Sequence, residues 1–96
     1  MNGWAKTSEA TALIARTARH FAHKVPVETS DGYASIETRF GRAELKEAGD
    51  GIAIGLRATD DQSIESLRDV ITSHITRFAR APVEVRWSER EEDDSA

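Results

Sequence analysis

Three histidines are the residues of this chain best suited to chemistry near neutral pH. His20 and His23 lie in His20-Phe21-Ala22-His23-Lys24, and His74 lies in Ser73-His74-Ile75-Thr76-Arg77-Phe78. Imidazole changes charge between pH 5 and 8, and in its neutral form it binds zinc, copper, nickel or iron. Three such rings aimed at one point would hold a transition metal with one position open to water. Acid–base catalysis by His74 is a second use. The His20-x-x-His23 spacing is weak evidence for metal, because the zinc-protease pattern sets its histidines four apart with a glutamate between them. The competing reading makes His74 a half-buried, hydrogen-bonded helix residue. His20 and His23 are then helix-end residues favoured by the C-terminal dipole.

Arginines supply a further chemistry, since guanidinium forks match carboxylates and phosphates. Arg42 and Arg57 fall on strand patterns, and Arg77 falls on a helix with Arg80, as Arg16 and Arg19 do on another. Solvated surface charge with scattered ion pairs is the competing reading, and an anion-binding patch would include Arg42 or Arg57. No cysteine is present, which excludes disulfides, thiolate metal sites and thiol nucleophiles. There is no nucleophile elbow, phosphate loop or dinucleotide fingerprint.

Two helices must position these side chains. The first reads from about Ser8 to Ala22, with Thr7 as N-cap, and Ala10, Ile14, Thr17, Ala18 and Phe21 recur at helical spacing with Leu13 on the flank. The second follows Thr59-Asp60-Asp61-Gln62, which fits a capping box, and carries the stripe Ile64, Leu67, Ile71, Ile75 and Phe78. At about 100° per residue, His74 projects about 40° from its stripe centre and His20 about 100° from its own. The two can meet in the seam between the helices, while His23 projects away or lies past the helix end.

Between the helices the pattern changes to period two. Val25 and Val27 open a strand that Pro26 marks as an edge or a beginning. Asp31-Gly32 and Asp50-Gly51 are hairpin signals. Ala34, Ile36, Thr38 and Phe40, then Ala43 and Leu45, then Ile52, Ile54 and Leu56 alternate with polar or small residues. Gly41 reads as a turn or bulge and Gly55 as a close backbone approach. Val83 to Trp87 forms a last strand, and residues 4–6 can add one before the first helix. Helices and sheet each have one apolar face. The pattern predicts an α+β two-layer sandwich in the order (β)αββββαβ, an antiparallel sheet of four to six strands with both helices on one face. The other face, with Ser35, Glu37, Glu44, Lys46, Ala53, Gly55 and Arg57, should be wet or pair in a homodimer.

The chain has 96 residues and a formal net charge of −4. Residues 89–96 carry all of that charge, so the remaining body is neutral. This predicts a single domain over 1–88 and a disordered acidic tail over 89–96. A neutral body lacks the basic face of a nucleic-acid binder. No apolar run approaches the ~20 residues of a membrane span, so a cytoplasmic protein is the default expectation.

The blocks His20-Phe21-Ala22-His23-Lys24-x-x-Val27-Glu28, Phe40-Gly41-Arg42-Ala43-Glu44-Leu45 and Leu67 through Ala79, with the closing Val83 to Trp87, resemble a bacterial family. It is catalogued as domain of unknown function 2218. The resemblance runs from about Ala5 to Ser88 and implies no established activity. Members of that family occur beside, or fused to, siderophore-interacting flavin reductases. The resemblance therefore implies an accessory role in iron or siderophore use, with such a reductase as partner. Family-like positions are His20, His23, Lys24, Gly41, Arg42, His74, Arg77 and Phe78. Together with the chemistry of imidazole and guanidinium, these positions give the candidate ligand-binding set His20, His23, His74, Arg42 and Arg77, with the three histidines as its metal-binding members. Many relatives have a leucine, and often a cysteine, where this chain has Thr17 and Ala18, so any role needing that cysteine is closed here. The resulting expectation is a non-enzymatic accessory or binding domain. The alternatives are a histidine-based metal-binding protein and a small enzyme using His74.

Overall fold

The computed structural model describes residues 1–88. The expected acidic tail, 89–96, lies outside the described residues. Eight elements follow one another: β1 (Asn2–Lys6), α1 (Ala10–Phe21), β2 (Val27–Ser30), β3 (Tyr33–Thr38), β4 (Gly41–Ala48), β5 (Gly51–Arg57), α2 (Asp61–Phe78) and β6 (Val85–Ser88). The strands form one six-stranded antiparallel sheet in the order β2-β3-β4-β5-β1-β6. This is the α+β arrangement that the pattern predicts. Strands β2 to β5 make a consecutive meander, and β1, the first strand of the chain, sits between β5 and β6. Both edges are short four-residue strands, β2 and β6.

Period-two alternation turns Ala34, Ile36, Ala43, Leu45, Ile52, Ile54 and Leu56 to one face of the sheet, where they are buried. The helices cover that face, α1 over β3 and β4, α2 over β4 and β5. Leu13, Ile14, Ala18 and Phe21 of α1 meet Leu67, Ile71 and Ile75 of α2 in the same core. Trp87 of β6 completes it. Its ring lies over Gly3, where an added Cβ would come within 2.6 Å of the ring, and its indole N–H donates to Thr72 Oγ1 of α2 at 2.9 Å.

Local signals moved by a residue or two. Thr7 does not cap α1; its hydroxyl accepts from the Glu9 N–H at 3.1 Å, and the helix begins at Ala10 rather than Ser8. The Thr59 to Gln62 capping box is not formed. Asp60 is the N-cap of α2, its carboxylate accepting from Ser63 N–H at 2.7 Å, one residue later than the expected box. Asp31-Gly32 does make the β2–β3 turn, with Gly32 at φ 71°. The β4–β5 turn is Gly49-Asp50, with Gly49 at φ 58°, so Gly51 belongs to the strand. Phe40 is not a strand residue: Arg39-Phe40 form a third tight turn, organised by Thr38, whose Oγ1 accepts from Phe40 and Gly41 N–H. Gly55 is not a close approach, since its Cβ would meet nothing nearer than 4.0 Å; Gly51, under the Trp4 ring and the Ala5 carbonyl, is one.

One core atom is out of place chemically. Thr17 is fully buried on α1, and its Oγ1 has no hydrogen-bond partner. A buried, unsatisfied hydroxyl costs roughly 1–3 kcal/mol, whereas an isosteric methyl there costs nothing in desolvation. Thr17→Val is therefore expected to stabilise the protein by about 1 kcal/mol in urea denaturation. A destabilised variant would show that the hydroxyl has a partner.

Candidate functional site

The two helices bring His20 and His74 together. Their ring centroids are 5.0 Å apart and inclined at 46°. Phe21, next to His20 on α1, lies 4.5 Å from the His74 ring. Phe78, one turn beyond His74 on α2, lies 5.1 Å from the His20 ring. The four rings make a compact patch at the end of the helix seam, with both imidazoles half-buried. Such tilted, offset contacts at 4.5–7 Å are the favourable geometry for aromatic pairs.

A polar clasp holds the seam in register. Arg16 of α1 donates through Nε to Phe78 O at 3.1 Å and through a terminal nitrogen to Glu9 Oε1 at 2.7 Å. Glu9 Oε2 accepts from the Arg80 N–H at 3.1 Å. Glu9 and Arg16 thus satisfy both a carbonyl and an N–H where α2 ends, and pull that end against α1. The Arg16 guanidinium and the Arg80 N–H hold the Glu9 carboxyl below the usual carboxylate range. Nothing adjacent to Arg16 in the sequence marks this role, which only the folded proximity of two distant segments shows.

The two imidazoles differ. His74 Nδ1 lies 2.6 Å from Val70 O, four residues back on its own helix. A carbonyl only accepts, so Nδ1 carries the proton and Nε2 presents the lone pair when the ring is neutral. His20 has no hydrogen bond to a described residue. Burial is the main cause that lowers its pKa from the ordinary histidine value, and positive charge on His74, Arg77, Lys24 and His23 adds to it. At neutral pH His20 is therefore uncharged, with free ring nitrogens under a cationic rim.

The rest of the candidate set is scattered. His23 is exposed, past the end of α1 at the Ala22 cap, and joins none of the ring contacts. Arg77 is exposed on α2, its guanidinium 5.7 Å from the Phe78 ring centroid, so it belongs to the rim. Arg42 is on the far side of the sheet. Alternation that buries Ala43 and Leu45 under the helices turns Arg42 to the open face, where it donates to Ser35 Oγ at 2.9 Å and lies 3.4 Å from Glu44. The set His20, His23, His74, Arg42 and Arg77 is thus not one site. Among the described residues no three His, Cys, Asp or Glu side chains are arranged to hold a metal ion. No carboxylate of those residues pairs with either imidazole, and a concavity of about 730 Å³ at the other end of α2, beside Arg57 and Asp60, contains none of the histidines.

A family model described as an uncharacterized protein conserved in bacteria, DUF2218, matches residues 3–88. The chain belongs to this family. The match confirms the resemblance carried by the histidine and arginine blocks, and the family description names no activity. Among solved structures, the NMR structure of PA4090 from Pseudomonas aeruginosa superimposes with a TM-score of 0.69 over 88% of this chain and 94% of that one. At 21% sequence identity, that likeness speaks for the fold alone. No curated protein matches the sequence. Among the described residues no helix is long and apolar enough to cross a membrane.

Proposed function

We propose that this DUF2218 chain is a non-enzymatic binding domain that holds an anionic, aromatic ligand on the His20–His74 patch. The observation that carries this reading is the unbonded His20 imidazole, uncharged at neutral pH, among three other rings and beside Arg77, Lys24 and His23. Rings offer stacking surface, the free nitrogens offer hydrogen bonds, and the rim attracts negative charge. Acid–base catalysis is less well supported, because the titratable neighbour of His74 is another imidazole rather than a carboxylate that could set a divergent pKa. The iron and siderophore link implied by the family resemblance names the first ligand class to test. Ferric catecholates are both anionic and aromatic. A siderophore-interacting flavin reductase, the partner implied by the same resemblance, would then supply any reduction.

An NMR titration of the histidine ring signals tests this. Gallium(III) tris-catecholate serves as a diamagnetic substitute for the ferric complex. Binding is expected to shift His20 and His74 together, with His23 following weakly, and to raise the His20 pKa, since a nearby anion favours the imidazolium. Proton uptake should accompany binding below neutral pH. Equal shifts with inorganic phosphate would leave an anion patch without the siderophore assignment. No shift of His20 or His74 at millimolar ligand would remove the proposal.

A further inference from the structure

The edge of the sheet at β2 differs from the edge at β6. At β6 the helix-side surface is filled by Trp87, bonded to α2 through Thr72. At β2 the helix side is left as a groove of about 380 Å³, floored by Val27 and Thr29 and walled by Thr11, Ala15 and Ala22 of α1. The backbone of that edge is open as well. Pro26 O accepts from the Glu37 N–H at 3.1 Å, and antiparallel bonding alternates along the strand. Glu28 and Ser30 therefore turn their N–H and C=O groups to β3, while Val27 and Thr29 turn theirs outward.

Two charges border the groove, Arg19 and Asp31, and neither has an ion-pair or hydrogen-bond partner among the described residues. They are too far apart to pair within one chain. Strand β2 runs antiparallel to α1, and Thr11 is level with Gly32, its Oγ1 3.8 Å from the Cβ that Gly32 would carry. Eight helical residues, a rise of about 12 Å, bring Arg19 level with Glu28 and Val27.

We propose that two copies of this chain associate about a two-fold axis through β2, each strand adding to the other's sheet, with both α1 helices flanking the joint. A two-fold axis pairs an edge strand with itself antiparallel, so every outward group finds its equivalent. Two registers use the outward groups. One is centred on Glu28 and sets Glu28 against the partner's Glu28, a like-charge pair that destabilises. The other is centred on Thr29, faces Glu28 with the partner's Ser30, and sets Val27 against the partner's Asp31. That second register brings the partner's Asp31 to the level of Arg19, twice by symmetry. The open sheet face is a poorer dimer surface, because its charges, Arg42 with Glu37 and Glu44 among them, already pair with one another.

Sedimentation equilibrium of the full chain tests this. The joint is smaller than a standard ~1,600 Å² interface, so dissociation constants on the order of 10–100 µM are expected. Thr29→Pro removes an outward N–H that the monomer does not use, and should weaken association at least about tenfold with unchanged circular dichroism. Arg19→Glu and Asp31→Arg should each weaken it about tenfold, and the double variant should recover to within about threefold of the parent. A monomer at about 500 µM overturns the proposal, as does a dimer indifferent to Thr29→Pro. A dimer broken by Thr29→Pro but indifferent to both charge reversals overturns the register.

Discussion

Gly41→Ala is expected to cost about 3 kcal/mol or more, a large share of the 5–15 kcal/mol that holds a domain this size together. Gly41 has φ 147°, a region that side chains avoid at roughly 1–3 kcal/mol. Conformation is the smaller part of the effect. A Cβ at this position would collide with the backbone carbonyl of Arg57 and stand 3.1 Å from the Ala58 Cβ, so the start of β4 and the end of β5 would have to part. Neither obstacle is a flexible side chain that can swing away. Gly49 is the internal control. Its φ of 58° is also positive, but nothing lies within 4 Å of its Cβ position, so Gly49→Ala should cost only about 1 kcal/mol. Urea denaturation of both variants gives the comparison. Equal losses, or a loss at Gly41 below about 1 kcal/mol, would mean that the β4–β5 junction yields easily.

The same glycine shows what periodicity can and cannot convey. Long apolar patterns were legible, because burial on one face imposes the period over many residues. The stripe from Ile64 to Phe78 placed α2, and projecting His20 and His74 from the two stripes placed their meeting in the seam. Turns were less legible, because they depend on one or two dihedral angles. Asp-Gly is a turn signal wherever it occurs, yet at Asp50-Gly51 the preceding Gly49 takes the positive φ. Arg39-Phe40 carries no turn signal of its own; the turn is made by the Thr38 hydroxyl binding two N–H groups and by Gly41. Phe40 therefore continued an apparent alternation that the chain had already left. Contacts between distant segments were least legible. Nothing local to Glu9 or Arg16 announces that they close on Phe78 and Arg80. Arg42 was grouped with the histidines by family-like residue blocks, whereas its alternation phase, visible in the sequence, already put it on the face that Ala43 and Leu45 do not occupy.

Phe21→Ala should have the other large effect, about 3–5 kcal/mol, because Phe21 is only 8% exposed and removal of a core ring leaves a cavity. Its consequences extend to the site, since the ring underlies His74 at 4.5 Å and His20 at 5.9 Å. Burial is the leading cause of the lowered His20 pKa, so water admitted where the ring stood should return that pKa part of the way toward the ordinary value. The charges of His74, Arg77, Lys24 and His23 remain and keep the recovery incomplete. The pH dependence follows in sign. In the parent, folded His20 binds fewer protons than unfolded His20 just below about pH 6.5, so stability falls as pH drops through that interval to the folded pKa. In Phe21→Ala the interval narrows and this slope flattens. Phe21→Leu separates the two effects: it keeps most of the volume, should cost under about 1.5 kcal/mol, and should leave the His20 pKa lowered as in the parent. Ring-signal titrations with denaturation at pH 7 read both quantities. A His20 pKa that stays put in Phe21→Ala would mean that the cationic rim, not burial, sets the protonation state of the patch. An anionic ligand would then bind by discharging the rim more than by stacking on the rings.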